Sequence, residues 1–150
     1  MARSIKAGST ARVFYVIQSG YDSHAVQLST QAQVLREFAG AVKAFLDDLA
    51  AAKLADRVVL LAFSEFGRRV TENANGGTDH GAAAPMFIVG NTVKAGLLGR
   101  FPSLAPQDLY QGDIKYNVDF RNVYAGILEN WLKTKSAPIL GKQFEPMQLI

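Results

Sequence analysis

The sequence predicts an α/β chain: a three-layer sandwich with a mainly parallel central sheet flanked by helices. Three observations lead there. Short β-branched and aromatic runs occupy residues 12–18, 57–63 and 85–90. Each ends in a polar turn that contains glycine. A long stretch of helical periodicity separates the first two, and strand–helix–strand order in an open sheet makes a parallel pair with a right-handed crossover. At 150 residues the chain has the size of one domain spanning 1–150, long enough to bury roughly 70% of its unfolded surface.

In chain order, Ala2-Arg3-Ser4-Ile5-Lys6-Ala7-Gly8 reads as the last turns of a helix closed by a glycine. That abrupt start leads us to expect the carboxyl-terminal part of a larger fold. Arg12–Gln18, rich in valine, isoleucine and aromatics between polar turns, reads as a strand. From Thr30 to Ala52, Val34, Leu35, Phe38, Val42, Phe45, Leu46 and Leu49 recur at three- and four-residue spacing. This predicts a helix with Ser29 or Thr30 as N-cap. Val58–Phe63 and Pro85–Gly90 complete the strand set. Residues 94–104 hold too many breakers for a helix. Asp119 then caps a second helix, whose apolar face is Phe120, Val123, Tyr124, Ile127, Leu128, Trp131 and Leu132. The proline- and glycine-containing tail from Ala137 to Ile150 is expected to be irregular, docked by Ile139, Leu140, Phe144 and Leu149.

Composition narrows the partners. Sixteen basic and thirteen acidic residues are scattered, not clustered, so nucleic-acid binding is not expected. No apolar run is long enough to span a bilayer and no secretory signal opens the chain, so no membrane partner is expected. Without cysteine, any metal must be held by Asp, Glu, His or backbone oxygen.

Chemistry concentrates between Arg57 and Gly90 and in Gly20-Tyr21-Asp22-Ser23-His24. The chain has two histidines, His24 and His80, and each closely follows an aspartate in a loop after a predicted strand. Asp22, His24, Asp79 and His80 together offer two imidazoles and two carboxylates, a set that suits zinc, manganese or iron. Arg68 and Arg69 follow Ser64-Glu65-Phe66-Gly67 and have the bidentate geometry that a small anionic substrate invites. The plainer alternative is that Asp79 caps a turn, His80 satisfies the backbone and the arginines lie on the surface.

Gly20-Tyr21-Asp22-Ser23-His24, Phe63-Ser64-Glu65-Phe66-Gly67-Arg68-Arg69, Gly76-Gly77-Thr78-Asp79-His80-Gly81 with Ala84-Pro85-Met86-Phe87, and Asp119-Phe120-Arg121-Val123-Tyr124 resemble, in this order, the carboxyl-terminal part of the bacterial domain-of-unknown-function 1501 family. The resemblance covers Ala7 to Leu132. It implies kinship with the alkaline phosphatase and sulfatase superfamily, an alkaline-phosphatase-like sandwich lacking its amino-terminal portion, and a two-metal site hydrolysing phosphate or sulfate esters. Full-length relatives often carry export signals.

The superfamily pattern fits in two ways. Either Asp79-His80-Gly81 stands for its metal-binding Asp-His-Gly, or Ser64-Glu65-Phe66-Gly67 takes that slot and His80 is the later single histidine. Strand order favours the second, which puts a phenylalanine where a ligand would stand. The expected ligands are then Asp22, His24 and His80, with Glu65 as a fourth ligand or an orienting group, Asp79 as a further candidate, and Arg68 with Arg69 for the anion. Zinc or manganese is the expected cofactor, and no catalytic nucleophile is identified. The rival expectation is a non-catalytic binding or scaffold domain with a degenerate metal site. Apolar surface left without its cover is expected to promote homo-oligomer formation.

Overall fold

A computed structural model describes residues 1–150 and corrects the expected architecture. Helices are α1 (Ala2–Lys6), α2 (Gln27–Ala51), α3 (Phe120–Gly126) and α4 (Ala137–Leu140); strands are β1 (Leu60–Ala62), β2 (Gly67–Glu72), β3 (Thr78–Gly81) and β4 (Phe87–Val89). The strands form two separate two-stranded antiparallel pairs, β1 with β4 and β2 with β3. The three-layer α/β sandwich with a mainly parallel sheet is therefore not formed.

The first reason lies in residues 12–18, which form no strand and make no backbone–backbone hydrogen bond. Their β-type composition has no partner to pair with, and a strand is stabilised by its cross-strand neighbours more than by its own propensity. Without it there is no βαβ crossover. The remaining two predicted strands do pair, but in the opposite sense, Leu60 facing Val89 and Ala62 facing Phe87.

Helix α2 starts three residues before its predicted beginning and uses neither Ser29 nor Thr30 as N-cap. Val26 occupies the cap in a left-handed conformation (φ 47°), and the hydroxyls of Ser29 and Thr30 donate back to its carbonyl. The exposed donors at the helix start are met from outside the helix. Val26 N–H donates to the Asn75 carbonyl at 3.1 Å and Gln27 N–H to that of Gly76 at 3.0 Å.

The amphipathic face of α2 behaves as its periodicity predicts. Leu49 is fully buried and Val34 nearly so. Leu35, Phe38, Val42 and Leu46 turn toward Phe87 and Val89 of β4, lining an open groove of about 540 Å³. Helix α3 continues into a π-helical turn, Ile127–Trp131, and packs on the tail, burying Val123, Ala125, Phe144 and Leu149. The tail is not wholly irregular, since α4 forms within it and ends at Gly141 with φ 80°. Of its expected anchors Ile139 is exposed.

Asp119 caps α3 as its position predicts. Its Oδ1 accepts from Arg121 N–H at 2.9 Å, and both carboxylate oxygens accept from the Arg121 guanidinium at 2.9 and 2.6 Å. These bonds, the side-chain pair first, lower its pKa to about 2. A depressed folded-state pKa adds stability above the ordinary carboxylate range that is lost as pH falls through the lowered value. Asp119→Ala is expected to cost about 1 kcal/mol near neutral pH. Asp119→Asn, which keeps the capping oxygen, should cost less, and both deficits should shrink as pH falls toward 2. Urea midpoints measured at several pH values check this.

Candidate functional site

The hairpin β2–β3 and the segment before α2 build the site together. Its loop is organised by Asn73, whose Oδ1 accepts from the N–H groups of Asn75 (3.0 Å) and Gly77 (3.1 Å), an Asx turn that needs a short amide side chain. Gly76 lies at φ 69°, where glycine is unstrained. The same Asn73 donates through Nδ2 to the His24 carbonyl at 3.1 Å and to Asp79 Oδ1 at 3.3 Å, fastening the hairpin to the His24 segment. Gln27, nearly buried at the start of α2, does likewise: its Oε1 accepts from Thr78 N–H at 2.8 Å and from the Thr78 hydroxyl at 2.7 Å.

Residues far apart in sequence converge as a result. His24 Nε2 lies 3.1 Å from His80 Nε2, 56 residues away. Asp22 Oδ1 is 3.1 Å from His24 Nε2 and 2.9 Å from His80 Nε2. All three side chains are between two-fifths and seven-tenths exposed, so the cluster opens to solvent. The hydrogen bond from His80 is the main influence holding the Asp22 carboxyl below its usual range, against the opposing effect of burial, with His24 adding to it. Asp22 is thus an anion through the neutral range.

Two imidazole nitrogens this close satisfy one another only when one donates and the other accepts, since a neutral ring offers one of each. The same triangle also has the size that a divalent cation requires: for ligands about 2.0–2.1 Å from zinc, separations run from roughly 2.9 Å at octahedral angles to about 3.4 Å at tetrahedral ones.

The remaining sequence candidates fall around this triangle. Asp79 does not join it. Its Oδ1 sits 3.5 Å from the other nitrogen of His24, Nδ1, where a carboxylate orients an imidazole and presents the opposite nitrogen outward. Glu65 is exposed on the turn between β1 and β2 and is not among the converging atoms. Phe66 lies flat on His80, with ring centroids 3.7 Å apart and planes 5° from parallel. Arg68 donates to the carbonyls of Thr78 (2.6 Å) and Tyr21, and Arg69 to that of Gln111. A guanidinium carries five N–H donors, so these bonds leave Arg68 three for other acceptors.

The profile of a family described as Protein of unknown function (DUF1501) matches residues 1–139. The chain belongs to this family. None of the curated proteins and none of the solved structures matches it. Of the residues that the sequence of this DUF1501 chain singles out, Asp22, His24 and His80 converge, whereas Asn73 and Gln27, which fasten their segments together, are not foreseen. Asn73 stood in a polar stretch just before a Gly-Gly pair, the only signal of an Asx turn; Gln27 carried none, because its partner Thr78 is 51 residues away.

Gly77 sets how closely the two segments approach. A Cβ at this buried position would lie 2.6 Å from both the carbonyl carbon and oxygen of His24, closer than packed atoms tolerate. Gly77→Ala is expected to push His24 off the triangle and weaken the site while α2 and α3 persist. Loss of a nuclear Overhauser contact between the two imidazoles, with helical circular dichroism retained, checks it.

Proposed function

We propose that this DUF1501 domain binds one divalent cation, zinc or manganese, through Asp22 Oδ1, His24 Nε2 and His80 Nε2, and serves the hydrolysis of phosphate or sulfate esters. The observation that carries the binding half is the mutual approach of these three atoms within 3.1 Å. The donor set agrees: two imidazoles and a carboxylate are hard-to-borderline ligands suited to such ions. The hydrolytic half is supported only by the resemblance of the glycine, aspartate and histidine motifs to the phosphatase and sulfatase superfamily, a weaker support because motif likeness does not fix activity and the sandwich of that superfamily is not formed.

Held by Asp22, His24 and His80, a cation would supply Lewis-acid polarisation of an ester oxygen and would offset charge on the phosphoryl or sulfuryl group. The chain's residues prepare for it. Asp22 contributes the formal negative charge. Asp79 beside Nδ1 of His24 favours the tautomer that leaves Nε2 free to ligate. Phe66 covers one face of His80 and fixes its ring plane. The unspent donors of Arg68, with Arg69, are the candidates for an anionic substrate.

The second reading, a non-catalytic binding or scaffold domain with a degenerate site, is favoured by Phe66, a side chain without a donor at a position where the superfamily pattern has a ligand. Hydrolysis of aryl phosphate and aryl sulfate with zinc or manganese added, compared with chelator-treated protein and with His80→Ala, separates the two. Metal-dependent turnover that His80→Ala abolishes supports the hydrolase. Metal binding with no turnover above buffer supports the scaffold.

A further inference from the structure

We infer that Arg68 is the positioning residue of the Asp22–His24–His80 cluster, a clamp that holds its two halves in register. The role deepens the metal-binding reading and rests on it for one of its two readouts.

The cluster joins two segments of unlike structure. His80 belongs to β3, whereas Asp22 and His24 lie in chain without regular structure. Arg68 reaches both. Its Nη1 donates to the carbonyl of Thr78, two residues before His80, at 2.6 Å. Its Nη2 donates to the carbonyl of Tyr21, the residue before Asp22. In the β2–β3 register Arg68 stands opposite His80, so one side chain ties the strand that carries His80 to the backbone that carries Asp22. Asn73 makes the corresponding tie at the His24 end.

The guanidinium also lies 5.1 Å over the ring of Phe66, which itself stacks on His80. Arginine, aromatic ring and imidazole form one packed group in which a shift of Arg68 is passed to the His80 ring. A lysine cannot reproduce this. Its ammonium is a point charge that lacks the planar fork needed to span two carbonyls and the flat surface that stacks on a ring.

The test compares the native chain with Arg68→Lys, the variant that keeps charge and aliphatic stem and is the less disruptive to folding, and with Arg68→Ala. Zinc affinity is read by competition with a chromophoric chelator. The second readout needs no metal: the nuclear Overhauser contact between the His24 and His80 rings, whose centroids are 4.7 Å apart, in metal-free protein with helical circular dichroism retained. Removal of groups that orient ligands typically weakens a site 10–100-fold, and both variants are expected to lose affinity in that range and to lose the ring contact. Native-like zinc affinity together with a retained contact would overturn the clamp, including the case in which Arg68 touches only a substrate anion. If the native chain binds no zinc, the metal-binding reading falls, and the ring contact alone decides the clamp: lost in Arg68→Lys it stands, retained it fails.

Discussion

Saturating zinc is expected to raise the thermal midpoint of the native chain by several degrees and to leave that of His80→Ala unmoved. A ligand at 100 times its dissociation constant stabilises the folded state by about 2.7 kcal/mol, which for a chain of this size corresponds to roughly 5–11 °C. His80 provides one of three converging atoms, and a site reduced to Asp22 and His24 would keep two ligands of three. Altering groups that merely orient ligands already costs 10–100-fold in affinity, so deleting a ligand should cost at least on the order of 100-fold. Calorimetric scans of both proteins with and without zinc and manganese make the comparison. An equal rise in both would place binding elsewhere.

The chain is also expected to self-associate. The chain exposes 10298 Å², whereas a compact monomer of 16.3 kDa exposes roughly 7,500 Å². The excess is larger than the ~1,600 Å² that a standard interface buries in total. It is apolar in two places. Val13, Tyr15, Val16 and Ile17 are each at least 66% exposed on backbone without hydrogen-bond partners, and the groove between α2 and β4 is lined by Leu35, Phe38, Val42, Leu46 and Phe87. An unpaired extended segment rich in β-branched residues pairs readily with another such edge, and the edge always available is that of a second copy. Sedimentation velocity at high concentration is expected to show a dimer that Ile17→Lys returns toward monomer. A native chain that stays monomeric throughout would remove this expectation.

The residues that converge were more legible than the architecture. Asp22, His24 and His80 could be found because short motifs bounded by glycine and rare residue types are local signals, and the structure brings those three together. Helices α2 and α3 were legible from 3.6-residue periodicity, and the Asp119 cap from its side chain. Strand pairing was not. The apolar runs at 57–63 and 85–90 carry no information about relative direction, and residues 12–18 have strand composition but no neighbour to complete a ladder. The start of α2 is not legible because its cap is tertiary: carbonyls of Asn75 and Gly76 stand in for a serine or threonine side chain. Adjacency to His80 in sequence groups Asp79 with the ligands, yet its carboxylate lies beside Nδ1 of His24, away from the Nε2 atoms that converge.

Whether Asp22, His24 and His80 hold a divalent cation is read by elemental analysis followed by zinc titration. Protein purified without chelator, then stripped and titrated, is expected to take up one zinc per chain with better than millimolar affinity, an uptake that His80→Ala lacks. No uptake by the native chain, or uptake unchanged in His80→Ala, would rule out metal binding by this cluster.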